Sequence, residues 1–293
     1  MSLIPVHSAV GMAEEASALA ARMPLLTLQA QRVAMSVAYG LHGRRKSGPG
    51  DQFWQFRQYM AGDSASQIDW RRSARSEHVI LREREWQSAQ SVWFWSDIAD
   101  SMRFSSGKHE SKADSALILG LALADILVRG GERVGLMGAG KTSASRDIIR
   151  SLSQEMTQLD VNQKMPPARP LQRNAHGVWI SDFLTPLPLI EARLNVLAAQ
   201  GAKGVLLRIF DAQEESYPFS GHVEFADASL RSRLKLGRAE LSRDAYLDAY
   251  GAHMAGLQQV AGRFGWHVSA HRTDLSKANC LLGLTTVLAH GAS

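Results

Sequence analysis

Two acidic residues in this chain stand directly after unbroken apolar runs. Ser91-Val-Trp-Phe-Trp95 leads into Ser96-Asp97, and Val178-Trp-Ile180 leads into Ser181-Asp182. Both runs have the length and the β-branched and aromatic content of buried strands. Each acid therefore falls at the carboxyl end of a strand, the edge on which open parallel sheets bind their ligands. Two carboxylates with a hydroxyl nearby form the hard oxygen set that Mg²⁺ takes, with waters completing the octahedron. Ser101, in the turn after Asp97, supplies such a hydroxyl. Asp211 and Asp274 also close predicted strands, and these two are read as caps of the next helices. For Asp97 and Asp182 a capping role and a metal role both stay open.

A second pattern competes for the same strand ends. Gly135-Leu-Met-Gly-Ala-Gly140-Lys141-Thr142 matches a Walker A phosphate loop, and Val178 to Asp182 passes for its Walker B strand. The alternative function is thus a nucleotide-binding protein using Gly135 to Thr142 and Asp182. A phosphate cradle needs a strand that ends before its first glycine, so that the loop amides open onto the ligand. Here Arg129-Gly-Gly-Glu-Arg133 precedes Gly135, and Val134, Leu136 and Met137 flank it, which puts the glycine inside a strand. Other chemistry is thinner. Cys280 lies in an apolar helix, where a structural thiol is commoner than a nucleophile. The histidines show no metal-ligand spacing, and no catalytic residues are assigned.

The elements that must position these groups alternate from Ser91 onward. Strands are predicted at 91–95, 133–137, 178–180, 205–210 and 266–271, with a short extra strand near 221–225. Helices are predicted at 112–129, 148–159, 189–200, 244–264 and 277–290. Strands separated by helices of this length imply crossovers, and so a mainly parallel, doubly wound α/β sheet with helices on both faces. Upstream, Glu14 to Met23 and Leu25 to Leu41 read as two helical patterns, and 43–90 is rich in arginine and tryptophan. The chain thus divides into N-terminal helices over 1–42, the Arg/Trp-rich segment over 43–90, and the α/β domain over 91–293.

Composition narrows the function class. The net charge is +5, but between Arg44 and Glu85 nine basic residues interleave with six acidic ones. Such mixing makes an ion-paired surface rather than one that tracks phosphates, and nucleic acid is not an expected partner. A single cysteine suits a reducing compartment. The opening twenty residues lack Lys and Arg and include Glu14 and Glu15, unlike a secretory signal. Ala116 to Val128, the longest apolar run, is too short to span a bilayer. A cytoplasmic protein is expected.

In the upstream segment Arg57 and Arg75 are expected to pair with Asp63 and Asp69, since guanidinium forks match carboxylates. Trp54, Trp70 and Trp86 would supply apolar body to a small subdomain without helices. Arg and Trp also dominate binding hot spots, so Arg57, Asp63, Asp69, Trp70 and Arg75 form a candidate partner surface.

Phe53-x-x-x-Arg57-x-Tyr59-x-x-Gly62-Asp63, followed by Ile68-Asp69-Trp70-x-x-Ser73-Ala74-Arg75, resembles the signature of the family numbered fifty-eight among domains of unknown function. Gln52 replaces its usual glutamate and Ser66 a common arginine. Downstream, Asp97-Ile-Ala-Asp-Ser101 resembles the Asp-x-Ser-x-Ser opening of the metal-ion-dependent adhesion site of von Willebrand A domains. Arg133 to Met137 resembles their second strand, and Ile180-Ser-Asp182 the strand that supplies a later acid. Ala99 takes the place of the first motif serine, so the site is degenerate. The resemblance implies a von Willebrand A-like fold and a non-enzymatic adaptor that works with a MoxR-type AAA+ ATPase. It also implies Mg²⁺ held by Asp97, Ser101 and Asp182, either weakly or only with the partner present.

Overall fold

The N-terminal segment forms one long helix where the sequence suggested two. In the computed structural model, which describes residues 9–42, 53–60, 68–76, 78–84, 89–107, 109–145, 147–156, 163–226 and 233–290, helix α1 runs Ala9–His42 through Pro24. Proline removes one helical hydrogen bond. The helix continues because Met23, Leu26, Ala30, Ala34 and Val37 form one buried stripe across that point.

Two compact units are present, one of Met1–Ala38 with Gln90–Ser293 and the other of Tyr39–Ala89. The smaller unit pairs strand β1 (Phe53–Gln58) antiparallel with β2 (Ile80–Arg84), and a one-turn helix α2 (Trp70–Ser73) lies between them in sequence. Its content departs from the helix-free subdomain expected. Asp69 begins α2 by accepting the Arg72 amide at 3.0 Å, a side-chain cap of the usual kind.

The larger unit is built on β3 (Ser91–Ser96), β4 (Arg133–Leu136), β5 (His176–Ser181), β6 (Lys203–Phe210) and β9 (Trp266–Arg272). They form one parallel sheet in the order β4-β3-β5-β6-β9. Helices α3 (Lys112–Arg129), α4 (Ile148–Met156) and α8 (Lys277–His290) share one core with α1 and with Val92, Phe94, Val178, Ile180, Val205 and Leu207 of the sheet. Helices α5 (Leu187–Leu197) and α7 (Arg243–Arg263) share the other, with Trp93, Trp95, Trp179, Leu206 and Trp266. Alternate strand residues thus feed opposite layers, which is why the strands read as continuous apolar runs. The α/β expectation holds, with helices on both faces of the sheet.

Helix α3 is buried almost all round rather than along one stripe, because α1, α4 and α8 cover the side that the sheet leaves free. On the other face Gly177 and Gly204 are register partners in β5 and β6, and the Trp266 ring lies over both. A β-carbon on Gly204 would fall 2.1 Å from the Gly177 carbonyl oxygen. After β6 the chain forms a short helix α6 (Ala212–Ser216) and an antiparallel hairpin of β7 (Val223–Ala226) and β8 (Arg233–Leu236). The sequence signalled only the first of those two strands, since Arg233-Leu-Lys-Leu236 alternates charge and apolar side chains over just four residues.

Candidate functional site at the carboxyl edge

From β3 the chain moves to β4 on one side and later to β5 on the other. The strand order therefore reverses between β3 and β5, the place where an open α/β sheet leaves a crevice at its carboxyl edge. Asp97 follows β3 and Asp182 follows β5, so the two acids flank that reversal. The edge is tied directly: the Asp97 amide donates to the Ile180 carbonyl at 2.8 Å, and the Ser181 hydroxyl donates to Asp97 Oδ2 at 2.8 Å. Asp97 Oδ1 accepts the Ala99 amide at 2.9 Å. Neither acid caps a helix; they join strand ends.

The cation at this centre belongs to the protein. Lys112, the first residue of α3, is 1% exposed and places Nζ 3.1 Å from Asp182 Oδ2 and 2.6 Å from Glu214 Oε1. The remaining Asp182 oxygen accepts the Leu184 amide at 3.1 Å. Glu214 Oε2 accepts the Asp211 amide at 2.9 Å, and Asp211 in turn accepts from Gln213, completing a capping box at the start of α6. The second Asp211 oxygen takes the Ser106 amide at 3.0 Å, which ties the loop after β3 to the end of β6. The ends of three adjacent strands are thereby stitched into one polar network.

Electrostatics reflect that geometry. Burial works most strongly against the Lys112 charge, yet Asp182 and Glu214 together outweigh it and hold the ammonium above its ordinary pKa. No ion pair holds Asp97 among the described residues, and the Lys164 charge is the smallest influence on its carboxyl. Burial raises its carboxyl to about 6, and the Asp182 charge adds to the rise, while the Ala99 amide and Ser181 hydroxyl oppose it. The backbone after Asp182 is also constrained. Phe183 has φ +54°, a left-handed conformation that costs a non-glycine residue about 1 kcal/mol or more. It is held by its ring against Trp179, centroids 5.2 Å apart, and by His253 at 2.8 Å from its carbonyl.

Of the residues expected at this site, Asp97 and Asp182 come together on one edge. Ser101 lies half-buried in a 3₁₀ turn, Asp100–Arg103. Asp211 caps α6 as read, and Asp274 pairs with Arg272. Lys112, Ser181 and Glu214 were missed. One signal for Lys112 was legible: a lysine directly after the Ser111 cap stands at the positive end of the helix dipole, which is unfavourable unless acids face it. In the smaller unit Asp69 caps α2. Trp70 is 66% exposed, so it does not supply apolar body, and Arg75 is exposed in the turn after α2. Arg57 pairs with Leu81 in the β1–β2 register, its side chain outside what is described, and Asp63, Trp86 and the Trp54 side chain also lie outside the described residues.

The phosphate-loop alternative does not survive the fold. Gly135 sits inside β4, Gly138 turns the chain with φ +90° against Pro167, and Ser143 returns antiparallel to Val134 through backbone bonds of 2.9 and 2.8 Å. A strand returning on itself leaves neither an open cradle of amides nor a helix starting at Thr142.

Nor do the carboxylates fit the Mg²⁺ that a von Willebrand A-like site implies. Each oxygen of Asp97 and Asp182 accepts one bond from a protein donor, and the donor on Asp182 Oδ2 is a buried ammonium whose charge opposes a divalent ion there. Among the described residues no group of three or more His, Cys, Asp or Glu is arranged to hold a metal ion.

Residues 55–256 match the model of the family described as "Protein of unknown function DUF58", and the chain belongs to that family. Uncharacterized proteins of Mycobacterium bovis and Mycobacterium tuberculosis are 28% identical to it over 279 residues, spanning 87% of this chain and 85% of theirs. Two solved structures cover 69% of this chain and 100% of their own: BatB of Bacteroides thetaiotaomicron, 11% identical with a TM-score of 0.38, and an aerotolerance-related membrane protein of Bacteroides fragilis, 14% identical with a TM-score of 0.39. Among the described residues no helix is long and apolar enough to cross a membrane.

Proposed function

We propose that this protein is a non-enzymatic, cytoplasmic adaptor of von Willebrand A-like architecture that docks a protein partner on the carboxyl edge of its sheet, the partner being a MoxR-type AAA+ ATPase. The observation that carries the docking surface is a buried polar centre whose loops display apolar side chains outward. Phe104 is 40% exposed at the end of the 3₁₀ turn, and Leu184 is 47% exposed two residues after Asp182. The Phe104 carbonyl accepts the Lys112 amide, and the Leu184 amide donates to Asp182, so both displayed residues are fixed by the network itself. Rigid loops that present apolar groups lose little entropy on binding. The ATPase as partner rests on the family resemblance.

The reading is tested with purified MoxR-type ATPase from the same organism. Binding is expected, with Phe104→Ser plus Leu184→Ser weakening it at least about tenfold, the effect of losing one ordinary hot spot. No binding, or equal binding by the double variant, overturns it. A second reading is favoured by Trp70, which stands exposed beside the exposed Arg71, Arg72 and Arg75. On that reading Trp70→Ala with Arg75→Ala removes binding, and the edge variant does not.

A further inference from the structure

We infer that the Lys112 ammonium is the built-in cation of the edge site, doing the work that a divalent ion does in metal-dependent adhesion sites and so making this site metal-independent. This property belongs to the isolated chain and holds whatever docks on the edge.

A bound Mg²⁺ bridges carboxylates from different strand ends and thereby fixes the loops that carry them. Here the bridging is already complete. Lys112 Nζ links Asp182, after β5, to Glu214, in α6 after β6, at 3.1 and 2.6 Å. The lysine is 1% exposed and the Asp182 side chain 6%, so neither is a solvated surface charge. An ammonium buried at a helix N-terminus is retained only if acids compensate it, and two do. It blocks an ion by geometry as well. Mg²⁺ bonded at about 2.1 Å to Asp182 Oδ2, the oxygen that Lys112 contacts, would lie no more than roughly 5 Å from Nζ, a repulsion barely screened at this depth.

The serine and alanine positions agree. Ala99 removes the hydroxyl that an ion would need, and its amide instead donates to Asp97 Oδ1. Ser181 spends its hydroxyl on the other Asp97 oxygen. Both carboxylates expected to ligate the ion thus spend their oxygens on hydrogen bonds within the protein, around a tethered cation. Glu214 belongs to the arrangement, because it makes the shorter of the two contacts to the ammonium, 2.6 Å against 3.1 Å for Asp182.

The test is calorimetric titration of the whole chain with MgCl₂, paired with thermal melts in Mg²⁺ and in EDTA. For the unsubstituted protein we expect no saturable heat up to millimolar Mg²⁺ and superimposable melts. Lys112→Met leaves Asp182 and Glu214 facing each other without their cation. It is expected to melt earlier in EDTA and to regain part of the loss with Mg²⁺, a rescue that adding Asp182→Asn abolishes. Saturable Mg²⁺ binding by the unsubstituted chain that Asp97→Asn or Asp182→Asn removes would overturn the inference, and so would a folded Lys112→Met that Mg²⁺ leaves unchanged. Should Lys112→Met fail to fold, the titration of the unsubstituted protein still decides.

Discussion

Glu214 holds Lys112 with one carboxylate oxygen and begins helix α6 with the other. Its Oε1 lies 2.6 Å from the lysine Nζ, and its Oε2 accepts the Asp211 amide at 2.9 Å. One side chain thus fixes both the charge at the centre of the edge and the entry of the insertion that carries β7 and β8.

That dual role predicts an order of damage. Lys112→Met strands two acids, and breaking a buried pair from one side costs about 3–5 kcal/mol. Glu214→Gln keeps an oxygen for the Asp211 amide and leaves Asp182 on the lysine, so it is expected to cost less, about 1–2 kcal/mol. Glu214→Ala should fall between them, since it also loses the cap. Urea unfolding of the three variants gives the ranking, and an equal loss for Glu214→Gln and Lys112→Met would contradict it.

The pH dependence has two opposing parts. Asp97 is raised from 3.8 to about 6, so between those values the folded state keeps a proton that the unfolded chain releases, and stability falls as pH rises. His271, 3% exposed, is lowered from 6.5 to about 4 mainly by burial, with Asp274 opposing. Between those values the unfolded chain takes a proton that the folded state refuses, so stability falls as pH drops. The two slopes nearly cancel from pH 4 to 6. Relative to the unsubstituted protein, Asp97→Asn is expected to gain about 3 kcal/mol between pH 4 and 7, and His271→Asn to lose a similar amount over the same rise. Parallel stability–pH curves for all three proteins would remove both assignments.

Gly204→Ala is expected to cost about 3 kcal/mol or more, because its β-carbon meets backbone at 2.1 Å and the Trp266 ring at 2.8 Å. Gly251→Ala provides the contrast. It lies in α7 with nothing within 4 Å, and should stabilise by about 0.5–1 kcal/mol through helix propensity. Denaturation midpoints shifted in the same direction would show that packing, not backbone preference, had been misjudged.

No specific ATP affinity is expected, and Lys141→Ala, an exposed residue of the β4 turn, should leave any nucleotide titration unchanged. Micromolar ATP binding lost in that variant would reinstate the phosphate loop.

Most of the fold was legible because it is written in local periodicity. Lys112–Arg129 and Lys277–His290 match the reading residue for residue, and Asp97 and Asp182 were placed by the apolar runs before them. The site's chemistry was less legible. Lys112 stands seventy residues from Asp182 and 102 from Glu214. No spacing rule links them, and only the strand order brings them together. The glycine pair was hidden for a like reason: Gly177 and Gly204 acquire meaning only when β5 and β6 are in register beneath Trp266. In the smaller unit Trp70 looked like core by residue type, but its place in a one-turn helix beside Arg71 and Arg72 turns it outward.

The return of Ser143 onto β4 also bears on how the molecule avoids sticking to its copies. An outer strand of a sheet is a template for any extended chain with free amides and carbonyls. On the β4 side Ser143 takes both the amide and the carbonyl of Val134, and the Arg133 guanidinium clamps the Thr142 carbonyl at 2.6 Å. On the far side, among the described residues, β9 pairs with β6 alone. Self-association by strand addition is therefore steered to β9, and Ser143→Pro, which deletes one of the two Val134 bonds, would open a second route and show itself as aggregation on warming.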